Sequence, residues 1–426
     1  MSSPTPTLLI LALAIVARAQ DFPLAPAVEC TPRKGLPNFL AKAAKPGAQL
    51  KIAYLGGSIT AQPGWRVKSL EHLRTTFPGA KFSEVNAAIG GTGSDLGVFR
   101  VKQDVLDHAP DLIFVEFAVN DGGAVPQQVI RCMEGIVRQA WRALPESDIC
   151  FVYTITEALV RPLTEDQFPR AASAMERVAE HYGIPSIHMA MEVAKLVKER
   201  RLVWKAALPK TDEEKKALGG KFVFAPDSVH PYPETGHELY LAAIVRSLGP
   251  IRAASGKAGA HPLGTPLAAD NYEHAKLVPI SAATLSSGFS KADAAKDDLA
   301  KRFTRLKDLH CATKPGESIS FKFKGTRAGI FHIVGPDSGQ VTITLDGKAT
   351  VRTGFDPYCS SFRLNTLLIG TDLPDAVHTV KIDIHPEQPD KVAILAKRAM
   401  TMDKPERFVG TAFYPGAILL LGELVK

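Results

Sequence analysis

Lys51-Ile52-Ala53-Tyr54-Leu55-Gly56-Gly57-Ser58-Ile59-Thr60 is the stretch from which the rest of the chain can be read. A short apolar run with strand character ends in two glycines and a serine, and Arg66 to Thr76 follows with helical spacing. Strand, glycine turn, serine and helix in that order lift a hydroxyl out at the carboxyl edge of a sheet. There it meets backbone N–H groups and the positive end of a helix dipole. Alone, Gly-Gly-Ser after a strand is usually just a turn. What lies downstream decides.

Apolar strand-like runs alternate with amphipathic helical stretches from that point on. Strands are expected at 51–55, 81–86, 111–119, 148–155 and 185–189, with helices near 66–76, 94–108, 125–143, 170–182, 192–201 and 234–248. Alternation of this kind implies right-handed βαβ units and a parallel sheet covered on both faces. Leu112-Ile113-Phe114-Val115 is the continuous apolar strand such a sheet buries. The polar run Lys205 to Lys221 reads as a solvated flap, with a place beside the active site as the alternative. Residues 20–50 are Pro-rich and read as an arm over residues 51–249; residues 250–270, rich in Gly, Ala and Pro, read as a linker.

From residue 271 to 426 the rhythm changes to short runs separated by Gly, Pro and Asp turns. Runs at 319–324, 329–334, 340–345, 350–353, 361–367 and 378–385, with a hairpin signal at Asp346-Gly347, predict an all-β sandwich or jelly roll.

Four short blocks stand in order in the α/β half: Gly56-Gly57-Ser58, the glycine loop Asn86 to Gly93, Ala118-Val119-Asn120-Asp121, and Asp227-Ser228-Val229-His230. A parallel sheet puts three of them at strand carboxyl ends, on one edge of the fold. Their chemistry is complementary. A serine hydroxyl is a poor nucleophile until an imidazole takes its proton, and His230 can do so. The imidazole needs a fixed tautomer, and Asp227, three residues earlier, can turn back onto its Nδ1. Attack on a carbonyl creates an oxyanion, for which the N–H groups of Ser58 and Gly91 and the Asn120 amide are suitable donors. Singly, Asn120-Asp121-Gly122 is also a turn and Asp227 also a helix cap; order and spacing set the group apart.

These blocks resemble those of the SGNH (GDSL-type) hydrolase superfamily over roughly residues 50–248. The resemblance implies a flavodoxin-like three-layer α/β/α sandwich and a Ser–His–Asp triad acting on esters without a cofactor or metal. By position it makes Ser58 the nucleophile, Asp227 and His230 its partners, and Ser58, Gly91 and Asn120 the oxyanion hole. Two positions depart from the pattern: Gly-Gly-Ser-Ile stands for Gly-Asp-Ser-Leu, and Ala118 stands where glycine is usual. Trp65 is a candidate wall of the substrate pocket, with core packing the alternative. Asp95 and Arg100 are expected to stay clear of substrate, and His181, His188 and His237 to be surface or core residues. The C-terminal half is similar to jelly-roll modules of some bacterial carbohydrate esterases, through Gly335-Pro336-Asp337-Ser338-Gly339 and Phe355-Asp356-Pro357-Tyr358; a purely structural partner is the alternative.

The expectation is an exported enzyme removing acetyl or similar acyl groups from a polysaccharide or oligosaccharide. A lipid-directed esterase or thioesterase would carry a long apolar lid, which the sequence lacks. A non-catalytic carbohydrate-binding protein on a decayed hydrolase fold sits poorly with an intact Ser58, Asn120, Asp227 and His230.

Bulk properties narrow the field further. The chain has 426 residues, 45% hydrophobic and 22% charged, enough for two or three domains. Its formal charge of +7 is spread along the chain, and no zinc-finger spacing or basic-aromatic interleaving points to nucleic acid. Leu8 to Val16 followed by Ala17-Arg18-Ala19 reads as a secretory signal over residues 1–19, although no Lys or Arg precedes Leu8. That run is too short to span a bilayer, so a secreted or periplasmic location is expected. Five scattered cysteines form no disulfide framework, although Cys311 with Cys359 could bridge, and neither CxxC nor HExxH marks a zinc site.

Overall fold

A computed structural model describes residues 22–425, so the predicted signal segment, 1–19, lies outside the described residues. The chain divides into two compact units, with the boundary between Glu273 and His274.

The first unit is built on six strands: β1 (Cys30–Thr31), β2 (Gln49–Gly56), β3 (Lys81–Asn86), β4 (Leu112–Glu116), β5 (Asp148–Tyr153) and β6 (Ser186–His188). They lie in the order β1-β6-β5-β4-β2-β3. All pairs are parallel except β1 with β6. Counted from β2, the parallel strands follow the flavodoxin-like order 2-1-3-4-5, whose direction reverses at β2 and β4. Every residue of β4 and β5 is buried, as their unbroken apolar character requires of strands covered on both faces. The helices fall where the sequence period put them: Trp65–Thr76, Ser94–Asp104, Pro126–Ala143, Arg170–Tyr182 and Met191–Lys198.

Two segments read from composition differ in the structure. The arm is partly regular: Cys30–Thr31 adds the antiparallel edge strand and Pro37–Ala43 is a helix with proline in its first turn, where a missing N–H costs nothing. The expected linker is not a free tether. The last helix continues through Pro250 to Ala254, and the residues after it are strapped to the first unit. Glu134, fully buried, accepts the Leu267 and Ala268 N–H groups at 2.5 and 2.7 Å. His261 stacks on Trp141 at 4.5 Å between ring centres and places Nε2 2.8 Å from Asp148 Oδ1. The glycines here stand in open space, and the segment is held by these few side-chain bonds instead.

The second unit is an antiparallel eight-stranded sheet ordered Lys348–Thr353, Gln340–Leu345, Ala376–Ile384, Ser318–Val334, Tyr414–Val425 and Ala275–Pro279; Arg363–Gly370 and Thr284–Leu285 also pair with Ser318–Val334. The all-β expectation holds, with Tyr414–Val425 added to the predicted runs and those at 319–324 and 329–334 joined in a single strand. Its first half alternates buried and exposed residues, whereas Ala328 to Val334 is buried throughout. A break in register lies between Gly325 and Arg327, with a second between Phe331 and His332. Gly325, at φ +155°, faces Gly422, at φ +146°, and a Cβ on Gly325 would fall 2.3 Å from the Leu421 carbonyl oxygen. Only glycine allows that crossing. Phe321, Phe323, Ile330, Ile382, Ile418 and Leu420 form the core beneath. All five cysteines are free thiols, so Cys311 and Cys359 do not bridge.

Candidate active site

At the carboxyl edge of the first sheet the four blocks meet. Gly56, the last residue of β2, pairs with Glu116, the last of β4, so the two turns that follow flank the point where strand order reverses. Ser58 opens the short helix Ser58–Ala61. The glycine loop is stitched to the same strand end, with Ala87 N–H on the Tyr54 carbonyl at 2.9 Å and Ile89 N–H on that of Gly56 at 3.0 Å. Gly90 lies over the serine: a Cβ on it would be 3.6 Å from Ser58 Cβ. Gly91 has φ +72°, a conformation glycine adopts without strain, and faces open space.

The third block closes on both. A Cβ on Gly57 would meet the Asn120 side-chain oxygen at 1.9 Å, and one on Gly93 would meet Asp121 Oδ1 at 2.2 Å. Asp121 Oδ1 accepts the Ser94 N–H at 3.0 Å, tying the end of β4 to the start of the helix after the glycine loop. Burial pushes the Asp121 carboxyl up to about 7, and the neighbouring Asp95 and Glu116 carboxyls push the same way against the Ser94 bonds.

The fourth block supplies the imidazole. His230 Nε2 is 2.8 Å from Ser58 Oγ, and its Nδ1 is 2.7 Å from Asp227 Oδ2. Asp227 Oδ1 accepts the backbone N–H groups of Val229 and His230 at 3.0 and 2.8 Å. Burial raises the Asp227 carboxyl, but those two N–H groups and the imidazole outweigh it and hold it below the usual range. Ser228 between them takes φ +68°, an uncommon conformation for serine that the surrounding bonds fix. The polar insertion adjoins this block: Leu202–Lys205 and Phe222–Ala225 pair as a two-stranded ribbon around a capped helix, Asp212–Ala217. The Tyr232 hydroxyl donates to the Ala206 carbonyl at 3.1 Å, anchoring ribbon to motif.

Ser58, Gly91, Asn120, Asp227 and His230 thus lie at one rim. Trp65 does not join them. It is fully buried, edge-on to Tyr54 and Phe114 at 5.4 and 5.9 Å, so it is a core residue and not a pocket wall. Its backbone N–H donates to His237 Nδ1 at 3.0 Å; burial pushes His237 down to about 3, which keeps it neutral. His188 is also buried, stacked on Phe168, and pushed down to about 3. A cleft of about 610 Å³ lined by Asn38, Lys42, Asp111 and Glu146 opens at the amino ends of the strands and carries none of the motif residues. Arg100 is fully buried and so stays clear of substrate, as expected, and one residue beneath the site, Glu116, escaped sequence reasoning. The signal was a carboxylate closing an otherwise unbroken apolar strand.

Residues 54–239 match the model of the GDSL-like lipase/acylhydrolase family. Among solved structures, a two-domain esterase (CEX) active on acetylated mannans, crystallised with mannopentaose, is 22% identical; the match covers 95% of this chain and all of that one with a TM-score of 0.70. A second structure of a two-domain CEX esterase gives 22% identity, 92% and 97% coverage and a TM-score of 0.69. The acetylxylan esterase Axe2 of Geobacillus stearothermophilus matches 48% of this chain at 18% identity and a TM-score of 0.36. Comparison with curated proteins gives no match. At such identities the solved structures speak for the fold, which in CEX likewise comprises two domains. The family model matches the segment that carries the four blocks, within the N-terminal unit.

Proposed function

We propose that this protein is a serine esterase that removes acetyl groups from an acetylated polysaccharide or oligosaccharide, with acetylated mannan the first substrate to test. The observation that carries this reading is the continuous hydrogen-bonded line from Asp227 through His230 to Ser58 Oγ. His230 Nε2 takes the Ser58 proton as Oγ attacks the ester carbonyl carbon. The N–H groups of Ser58 and Gly91 and the Asn120 amide hold the resulting oxyanion. Collapse breaks the bond to the sugar oxygen, which takes the proton back from His230 and leaves an acetyl-enzyme. Water, deprotonated by His230, then releases acetate and restores the hydroxyl. The partly exposed Ser58 and His230 favour a bulky glycan over a ligand that must be engulfed.

The activity attached to CEX, and the absence of a long apolar lid in the sequence, favour a small acyl group on a sugar over a lipid. Export rests on the N-terminal sequence; among the described residues no helix is long and apolar enough to cross a membrane. The test is acetate release from acetylated mannan and acetylated xylan by wild type and Ser58→Ala, alongside acetyl and octanoyl p-nitrophenyl esters. Release from a glycan by wild type alone, with acetyl preferred to octanoyl, is expected. Turnover by Ser58→Ala, or preference for the longer acyl chain, would overturn it.

A further inference from the structure

The Gly56–Gly57 peptide, one peptide unit ahead of the one that carries the Ser58 N–H, is gripped at both of its polar ends by buried, oppositely charged side chains. On the carbonyl side, Gly56 O accepts from Ile89 N–H at 3.0 Å and from Arg100 Nη2 at 3.4 Å. On the amide side, the Gly57 N–H donates to the carboxyl of Glu116. The same carboxyl accepts from Thr60 Oγ1 at 2.9 Å and from Thr154 Oγ1 at 2.7 Å. Arg100 further binds the Ala87 carbonyl and the carboxylate of Asp104, the latter at 2.9 Å.

Arg100 is 0% and Glu116 1% exposed, so neither can touch a substrate. Withdrawing charges from water is costly unless hydrogen bonds replace the lost solvation. A sheet edge could be closed more cheaply with apolar side chains. What these two charges supply is direction. A guanidinium at the carbonyl end and a carboxyl at the N–H end both lie along the peptide's own dipole, and rotating that peptide would weaken both contacts at once. The grip also spans the site, because Arg100 comes from the helix after the glycine loop, Glu116 from β4, and Thr154 from the segment after β5. Room is scarce as well: a Cβ on Gly56 would fall 2.6 Å from Thr60 Oγ1 and 2.8 Å from the Glu116 carbonyl oxygen.

We infer that Arg100 and Glu116 are positioning residues that fix the Gly56–Gly57 peptide, and through it the direction of the Ser58 hydroxyl and N–H relative to His230 and Asn120. The inference rests on Ser58 being the nucleophile. A peptide left free to tilt would move Oγ out of line with Nε2 while leaving the substrate surface untouched. Misplacement on the ångström scale costs up to about 100-fold in rate. Glu116 is therefore felt in kcat and not in KM.

The test compares wild type, Glu116→Gln and Thr154→Val. Glu116→Gln keeps the shape but sets an N–H₂ against groups that donate; Thr154→Val leaves the carboxyl and removes one donor. Three quantities are read: kcat and KM on p-nitrophenyl acetate, the second-order rate at which a fluorophosphonate captures Ser58 with release of fluoride, and the melting temperature. Glu116→Gln is expected to lower kcat about 10- to 100-fold with KM within about twofold, and to slow fluorophosphonate capture by a similar factor in protein that still melts cooperatively. Thr154→Val should give a smaller loss of the same kind. Folded variants with wild-type kcat and capture rate would overturn the inference. So would a fall in activity matched by a fall in titratable sites, with the remaining sites at full speed, because that is the mark of a merely structural role. A wild type that neither hydrolyses the ester nor takes up the fluorophosphonate would instead overturn the nucleophile reading, and this inference with it.

Discussion

Asp227 holds His230 by two separate bonds, Oδ2 to the imidazole Nδ1 at 2.7 Å and Oδ1 to the His230 backbone N–H at 2.8 Å. One carboxylate therefore shapes the turn and orients the ring. Asp227→Asn separates these tasks. The amide oxygen can still accept from the backbone, but its N–H₂ faces Nδ1 and favours the tautomer whose Nε2 already carries a proton. That imidazole cannot take one from Ser58. We expect kcat on p-nitrophenyl acetate to fall about 10⁴-fold, the scale seen when a triad carboxylate is replaced by its amide, with little change in melting temperature. Activity within tenfold of wild type would remove Asp227 from the mechanism. Because the folded-state carboxyl is held low, its contribution is complete above the ordinary carboxylate pKa of about 4 and fades only as pH falls below that. An activity loss at higher pH has another source.

Gly57 is required by contact and not by conformation. Its φ of −92° and ψ of −154° are open to most residues, yet a Cβ there would stand 1.9 Å from the Asn120 side-chain oxygen and 2.8 Å from Cγ. Gly57→Ala must push the Asn120 amide aside. Loss of one oxyanion donor costs about 10²- to 10³-fold in kcat, and a drop of that order is the expected result from steady-state rates. Gly91→Ala makes the contrasting case, with φ +72° and nothing within 4 Å, so it meets strain without collision. A Gly57→Ala enzyme as fast as wild type would mean that Asn120 is not where the chemistry occurs.

Much of this site could be read without coordinates because each block is punctuated by its own turn. Glycine, serine and asparagine were placed by strand ends, and the parallel-sheet rule brought those ends to one edge, while the histidine block was set apart by its order and chemistry. Less visible was anything whose reason lies far away along the chain. Cys30–Thr31 becomes a strand only by pairing with Ser186 and Ile187. The strap after Ala254 depends on Glu134 and Trp141, and the strand Tyr414–Val425 was absent from the pattern reading although it forms the longest pairing with Ser318–Val334. Gly325 resembled a turn because a glycine that lets two strands cross and one that reverses a chain look alike in sequence.

Trp65 illustrates the same limit and gives a measurement. Proximity to Ser58 in sequence suggested a pocket wall, but the helix Trp65–Thr76 turns this side chain inward against Tyr54 and Phe114. Removing a buried aromatic ring costs about 3–5 kcal/mol. Trp65→Ala should therefore lower the urea midpoint of the first unit markedly, while the folded fraction keeps its KM. A raised KM at unchanged stability would return the residue to the pocket.

Asp121 predicts a pH dependence of stability. Its carboxyl is 4% exposed, Oδ1 takes the Ser94 N–H, and the charged groups around it, Asp95 and Glu116, are acidic. Burial first, and those two carboxyls after it, raise it to about 7, against about 4 for an unfolded aspartate. Between those values the folded chain keeps a proton that the unfolded chain has released. By linkage, its contribution to stability falls as pH rises from about 4 to 7 and levels off above. Asp121→Asn mimics the protonated acid, keeping an acceptor for Ser94 without a titration. The melting temperature of the variant minus that of wild type, followed from pH 5 to 8, should grow more positive and then plateau. A difference independent of pH would mean that Asp121 stays ionised in the fold, with its charge met by something other than a proton.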